Sequence, residues 1–189
     1  MKTQIKASLI IISLIFAVNS SFAQKDKDKN LVFWSATKKL TLDDFSIKTK
    51  NMESGPASGQ FTIDYQLNGF NIFTKNFNKK IRNYLVKTGS QIDTTGTVEI
   101  YLLYQQTIFD LCEIYTRHFR KELRENRSKF MKGASFADEL NMEIMKQLMI
   151  RREEYTKDTN SATKPEKQKE WEDLIKKELE ELADYAYDK

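Results

Sequence analysis

From residue 97 to 125 the chain contains neither Gly nor Pro, and this uninterrupted stretch constrains the fold more than any other feature. At 100° per residue, Tyr104, Ile108, Leu111, Cys112, Tyr115, Phe119 and Leu123 gather on one side, while Gln106, Asp110, Glu113, Arg117 and Arg124 fall opposite. The spacing predicts a long amphipathic helix that needs an apolar partner. Residues 136–155 offer one through Leu140, Ile144, Met145 and Leu148. Residues 166–187 offer another through Trp171, Leu174, Ile175, Leu179 and Leu182, with Pro165 as a fitting helix start.

Upstream the periodicity changes from helix to strand. Residues 31–34 are a short apolar run, and 39–45 read as a strand or turn carrying the Asp43-Asp44 pair. Residues 46–59, with Gly55, Pro56 and Gly59, read as a loop. Phe61 to Leu67 alternates with period two, Asn68-Gly69 is a tight-turn signal, and a hairpin is expected over 61–77. Residues 79–87 fit a short helix or a third strand, and 88–96 a polar connection. The expected architecture is α+β: a small antiparallel sheet followed by three long helices, forming one domain over 31–189.

Residues 1–23 have the make-up of a signal peptide. Lys2 and Lys6 form a basic start, Leu9 to Val18 an apolar run short of the ~20 residues of a membrane span, and Ser21-Phe22-Ala23 a small-x-small cleavage site. Cleavage is expected after Ala23, placing the protein in the periplasm or outside the cell; no cysteine follows the run to carry a lipid anchor. Residues 24–30 alternate charge without apolar content and read as a flexible mature N-terminus.

Composition then narrows the function. Hydrophobic residues are 40% of the chain, too many for a disordered protein and too few for several membrane spans. Without the two lysines of 1–23 the net charge falls from +4 to +2, and no basic stripe interleaves with aromatics, so no nucleic-acid partner is expected. A single cysteine, Cys112, rules out an intrachain disulfide, and a single histidine, His118, rules out a zinc site built on two or three imidazoles.

The segment Leu102-Leu103-Tyr104-Gln105-Gln106-Thr107-Ile108-Phe109-Asp110, continuing to Glu113, Tyr115 and Arg117, resembles the zinc helix of the bacterial secreted metalloprotease family described as domain of unknown function 922. The pattern there is L-L-x-H-E-Q-x-H-F-D followed by E-x-Y-x-R. Trp34-Ser35 with Leu40-Thr41-Leu42-Asp43-Asp44-Phe45 is similar to that family's tryptophan and L-T-W-D-D-F element. Tyr155-Thr156-Lys157-Asp158-Thr159-Asn160-Ser161-Ala162, with Gln168 and Trp171, is similar to its Y-D-x-x-T-x-H-G and Q-x-x-W elements. The resemblance spans most of the mature chain and implies a zincin-like fold.

It also implies a lost active site. Two histidines four apart on a helix share a zinc ion, and the glutamate beside the first acts as general base. Tyr104 and Ile108 stand at the two histidine positions and Gln105 at the base position; Ser161 stands where the resemblance places the third ligand. An amide cannot accept and return a proton at neutral pH. No metal, no cofactor and no peptidase activity are expected. The function implied is an exported, catalytically inactive domain that binds or scaffolds a protein or envelope component.

The rival reading is a hydrolase with displaced, metal-independent chemistry on Asp110 and Glu113, with Gln105 or Tyr104 as donors. Other residues have plainer roles. His118 reads as a half-buried helix residue and Cys112 as a buried small thiol; their separation of ~9 Å along the axis is too large for a dyad. Asp43 and Asp44 read as loop anchors, and Glu113–Arg117 as a solvated ion pair four residues apart. The C-terminal helix is expected to pack on the domain, with a homodimer contact as the alternative.

Overall fold

The computed structural model describes residues 29–50, 55–65, 74, 77–130 and 135–189. The signal-peptide segment, most of residues 24–30 and the Asn68-Gly69 turn lie outside the described residues. Four strands precede three long helices: β1 (Leu31–Phe33), β2 (Ile47–Thr49), β3 (Ala57–Tyr65) and β4 (Ile81–Asp93), then α1 (Val98–Glu125), α2 (Ser135–Thr159) and α3 (Pro165–Glu181). A single turn, Arg127–Phe130, lies between α1 and α2, and short 3₁₀ turns span Leu42–Asp44, Phe77–Lys80 and Ala183–Tyr185. The α+β class and the three helices agree with the periodicity of the sequence. No helix among the described residues is long and apolar enough to cross a membrane.

The sheet corrects the expectation of a purely antiparallel one. β4 is its central strand: β3 pairs antiparallel along one edge, from Tyr65 opposite Ile81 to Ala57 opposite Ile92. On the other edge β1 is antiparallel, with Val32 opposite Leu85, and β2 is parallel, with Lys48 opposite Ile92. The sheet is therefore mixed. Among the described residues β3 pairs with 81–93, the expected partner stretch 70–77 lying largely outside them, and residues 88–93, expected as a connection, complete β4. Its polar residues are accommodated individually: Thr88 N donates to Asn30 Oδ1 at 3.0 Å, and Ser90 Oγ donates to Val86 O at 2.7 Å. The expected loop 46–59 likewise contributes β2 and the start of β3.

α1 lies across the sheet and is enclosed from several sides. Leu40, Phe45, Leu85 and Ile92 pack with Phe109, joining the sheet and the N-terminal segment to the first half of α1. Ile63, Ile81 and Phe77 pack with Phe119, Leu123 and Ile144 around its second half. Between α1, α2 and α3 lies the third cluster, centred on Ile108, Leu111, Cys112, Leu148, Tyr155, Trp171 and Ile175. Each fully buried Leu, Ile or Phe is worth about 1.5–3 kcal/mol of transfer free energy, so the helix is held by tertiary packing rather than by propensity.

Candidate functional site

The positions that the resemblance assigns to a zinc site, Tyr104, Gln105, Ile108 and Ser161, are engaged in packing and hydrogen bonds, among them one clamp on a strand backbone. β3 carries an irregularity between Ser58 and Gln60 that takes Gly59 out of the ladder with β4. A displaced backbone group needs another partner. Gln105, 1% exposed, supplies it: its Oε1 accepts from Gly59 N at 2.9 Å, and its Nε2 donates to Ala57 O at 2.9 Å. The approach requires glycine, because a Cβ at residue 59 would lie 2.8 Å from Gln105 Oε1.

Ile108, 1% exposed, sits inside the cluster between the three helices. Tyr104 stacks on Tyr155 with ring centroids 5.6 Å apart, and its hydroxyl shares a 2.8 Å hydrogen bond with Thr156 Oγ1. Ser161 is the middle residue of a left-handed turn, Asn160, Ser161 and Ala162, with φ of 49°, 57° and 66°. Its backbone N donates to Thr156 O at 3.0 Å, so Thr156 links Tyr104 to the Ser161 turn. The fold thus brings Tyr104 to the segment carrying Ser161, while Gln105 faces the sheet. No group of three or more His, Cys, Asp or Glu side chains converges in metal-ligand geometry among the described residues.

Cys112 is buried, and that burial pushes its thiol up to about 12, far from a reactive thiolate. His118 is half-buried against the Tyr115 ring at 5.9 Å, and burial with the nearby Lys121 lowers its affinity for a proton. Asp44 is buried and accepts from Thr41 N at 2.9 Å and Thr41 Oγ1 at 3.0 Å, anchoring the loop; Asp43 lies 3.6 Å from Lys48 at the surface.

The charged side of α1 corrects another expectation. Glu113 and Arg117 are not solvated: Glu113 is 2% exposed, and its Oε1 accepts from Arg117 Nε and Arg120 Nη1, both at 3.0 Å. Arg117 Nη1 also donates to Leu179 O at 2.6 Å. Arg120, 1% exposed, donates to Tyr185 O at 2.9 Å and Ile81 O at 2.7 Å. These arginines grip backbone carbonyls at the end of α3 and in the segment after it. Sequence reasoning missed Arg120, although its place seven residues beyond Glu113 puts the two on one helical face.

Further along the same side, Gln106 bridges the N-terminal segment and the helix. Its Oε1 accepts from Leu40 N at 2.8 Å, and its Nε2 donates to Asp110 Oδ1 at 2.8 Å. Trp34 Nε1 donates to the same Oδ1 at 2.8 Å, and Lys39 Nζ lies 3.6 Å from Oδ2. Burial raises the Asp110 carboxyl above its ordinary range, against the opposing pull of Trp34, Lys39 and Gln106. Asp110 lines a cleft of about 820 Å³ between the N-terminal segment, α1 and α3. Glu113 and Arg120 line a separate cavity of about 250 Å³.

Comparison of the chain with family models, curated proteins and solved structures finds no match.

Proposed function

We propose that this chain is an exported, zincin-like domain whose metal-binding and proton-transfer positions serve packing, and that it works as a binding or scaffolding module without peptidase activity. The observation that carries the reading is the Gln105 amide, which uses its acceptor and its donor at once on the backbone of β3. An ionised glutamate has no donor for Ala57 O, so the clamp and a general base are incompatible uses of one position. The burial of Ile108 and the engagement of Tyr104 with Tyr155 and Thr156 support the same view.

The zincin-like part draws support from the convergence of the resemblance-bearing residues, scattered from Trp34 to Trp171, on α1. Trp34 and Leu40 reach Asp110 and Gln106. Gln168 Nε2 donates to Thr107 Oγ1 at 3.0 Å, Tyr155 donates to Gln168 Oε1 at 2.8 Å, and Trp171 packs edge-on against Tyr155. The displaced hydrolase is disfavoured because Asp110 and Glu113 line different cavities, and Glu113 is held between two guanidinium groups.

Zinc analysis tests the reading. Protein loaded with zinc and dialysed should retain none, and a stoichiometric, dialysis-resistant ion would overturn it. Combining Tyr104→His, Gln105→Glu, Ile108→His and Ser161→His should create zinc uptake. A folded variant that takes up no metal would remove the zincin-like part of the proposal.

A further inference from the structure

We propose, building on the binding-module reading, that the cleft on the charged side of α1 is a site for a small apolar molecule bearing one ammonium or guanidinium group, which pairs with Asp110 Oδ2. The cleft, about 820 Å³, has the size of a small-molecule site and is walled by Trp34, Leu40, Leu102, Leu103, Ile175 and Leu179, drawn from three parts of the chain. Such walls accept an apolar body; the charged groups decide which head group goes with it.

Lys176 and Glu180 are exposed at the rim, whereas the Asp110 side chain is only 16% exposed. The other deeply placed charge, Arg117, is committed to Glu113 and to Leu179 O. Asp110 Oδ1 is filled by Trp34 and Gln106. Oδ2 has the Lys39 ammonium at 3.6 Å, longer than a direct charge-assisted hydrogen bond, and Lys39 is 62% exposed on a flexible stem. Lys39 can therefore swing out and be exchanged for a ligand cation, which would offset the desolvation of a carboxylate held in a largely apolar cleft. An anionic head group could meet Lys39 and Lys176 at the exposed rim, but at depth it would face the Asp110 carboxylate with Arg117 already committed elsewhere.

Calorimetric titration of the protein with octylammonium, octanoate and octanol tests the site. Octylammonium should bind saturably and at least about tenfold tighter than either relative of equal chain length. Asp110→Asn, which keeps an acceptor for Trp34 and Gln106, should weaken octylammonium binding by at least about tenfold without lowering the unfolding midpoint. Lys39→Ala should tighten it by removing the competing ammonium, and this variant carries the test if Asp110→Asn does not fold. Equal binding of octanoate or octanol, unchanged affinity in Asp110→Asn, weakened binding in Lys39→Ala, or no binding of any probe would overturn the proposal. The zinc analysis is a separate measurement, so a failed titration leaves the loss of the metal site standing.

Discussion

Both sides of α1 are buried, but different physics holds each. On the side of Ile108, Leu111 and Cys112 the contact with α2 and α3 is apolar, so its strength follows area and fit. On the side of Glu113, Arg117 and Arg120 the neighbours are carbonyls of Ile81, Leu179 and Tyr185, so strength depends on each donor finding its acceptor. Apolar contacts tolerate exchange among residues of similar volume, whereas a buried charge tolerates loss of its partner poorly. Under the proposed reading, a metal site that lost its ligands would be absorbed readily on the first side. On the second side the charges latch the C-terminal segment, and Asp110 at the cleft is left with one lightly engaged oxygen.

Glu113→Ala should produce the largest effect, because it strips two buried guanidinium groups of their shared carboxylate; about 3–5 kcal/mol is expected in urea unfolding. A loss under about 1 kcal/mol, the level of an exposed pair, would show that the carbonyls alone suffice and would erase the contrast. Ile108→Ala should cost about 2–5 kcal/mol by opening a cavity, and Ile108→Val only about 0.5–1.5, the graded response of an apolar contact. An Ile108→Ala protein as stable as wild type would mean that this side is not close-packed.

Gln105→Glu should cost about 1–3 kcal/mol at neutral pH by leaving Ala57 O without its donor. Burial would raise the new carboxyl above its unfolded value. The cost therefore sets in as pH rises through that window and shrinks on acidification, when the protonated acid again donates. Unfolding midpoints at pH 5 and pH 7.5 that differ from wild type by the same amount would contradict the clamp. The smallest change is expected from Asp110→Asn. Because burial raises the native carboxyl, ionisation disfavours the folded state as pH rises past the ordinary carboxylate range. The variant should be equal to or more stable than wild type at neutral pH, with the difference fading in acid; a large loss at pH 7 would make Asp110 a structural acceptor.

The helices were legible because their period repeats over many turns within one stretch of chain, as in Tyr104, Ile108, Cys112, Tyr115 and Phe119. β4 was not: Thr88, Gly89, Ser90 and Gln91 interrupt its alternation, and only neighbours on both edges make the segment a strand. The resemblance singles out Gln105 as standing at a general-base position, but its task in the fold depends on an irregularity in a strand more than forty residues away. Helical spacing shows that Glu113 and Arg117 can pair but is blind to what covers the face, so their burial is not legible in it.

By itself the sequence determined that three long helices follow a strand-bearing region, that one histidine cannot furnish a zinc site of two or three imidazoles, and that a tyrosine and an amide stand side by side in the first helix with an isoleucine one turn on. Those properties are local or arithmetical. Only the tertiary structure decided that β2 runs parallel to β4, that Gln105 serves the β3 backbone, and that a cleft opens beside Asp110. The physical reason is that burial and hydrogen-bond partnership belong to pairs of groups distant along the chain, and folding alone brings those groups together.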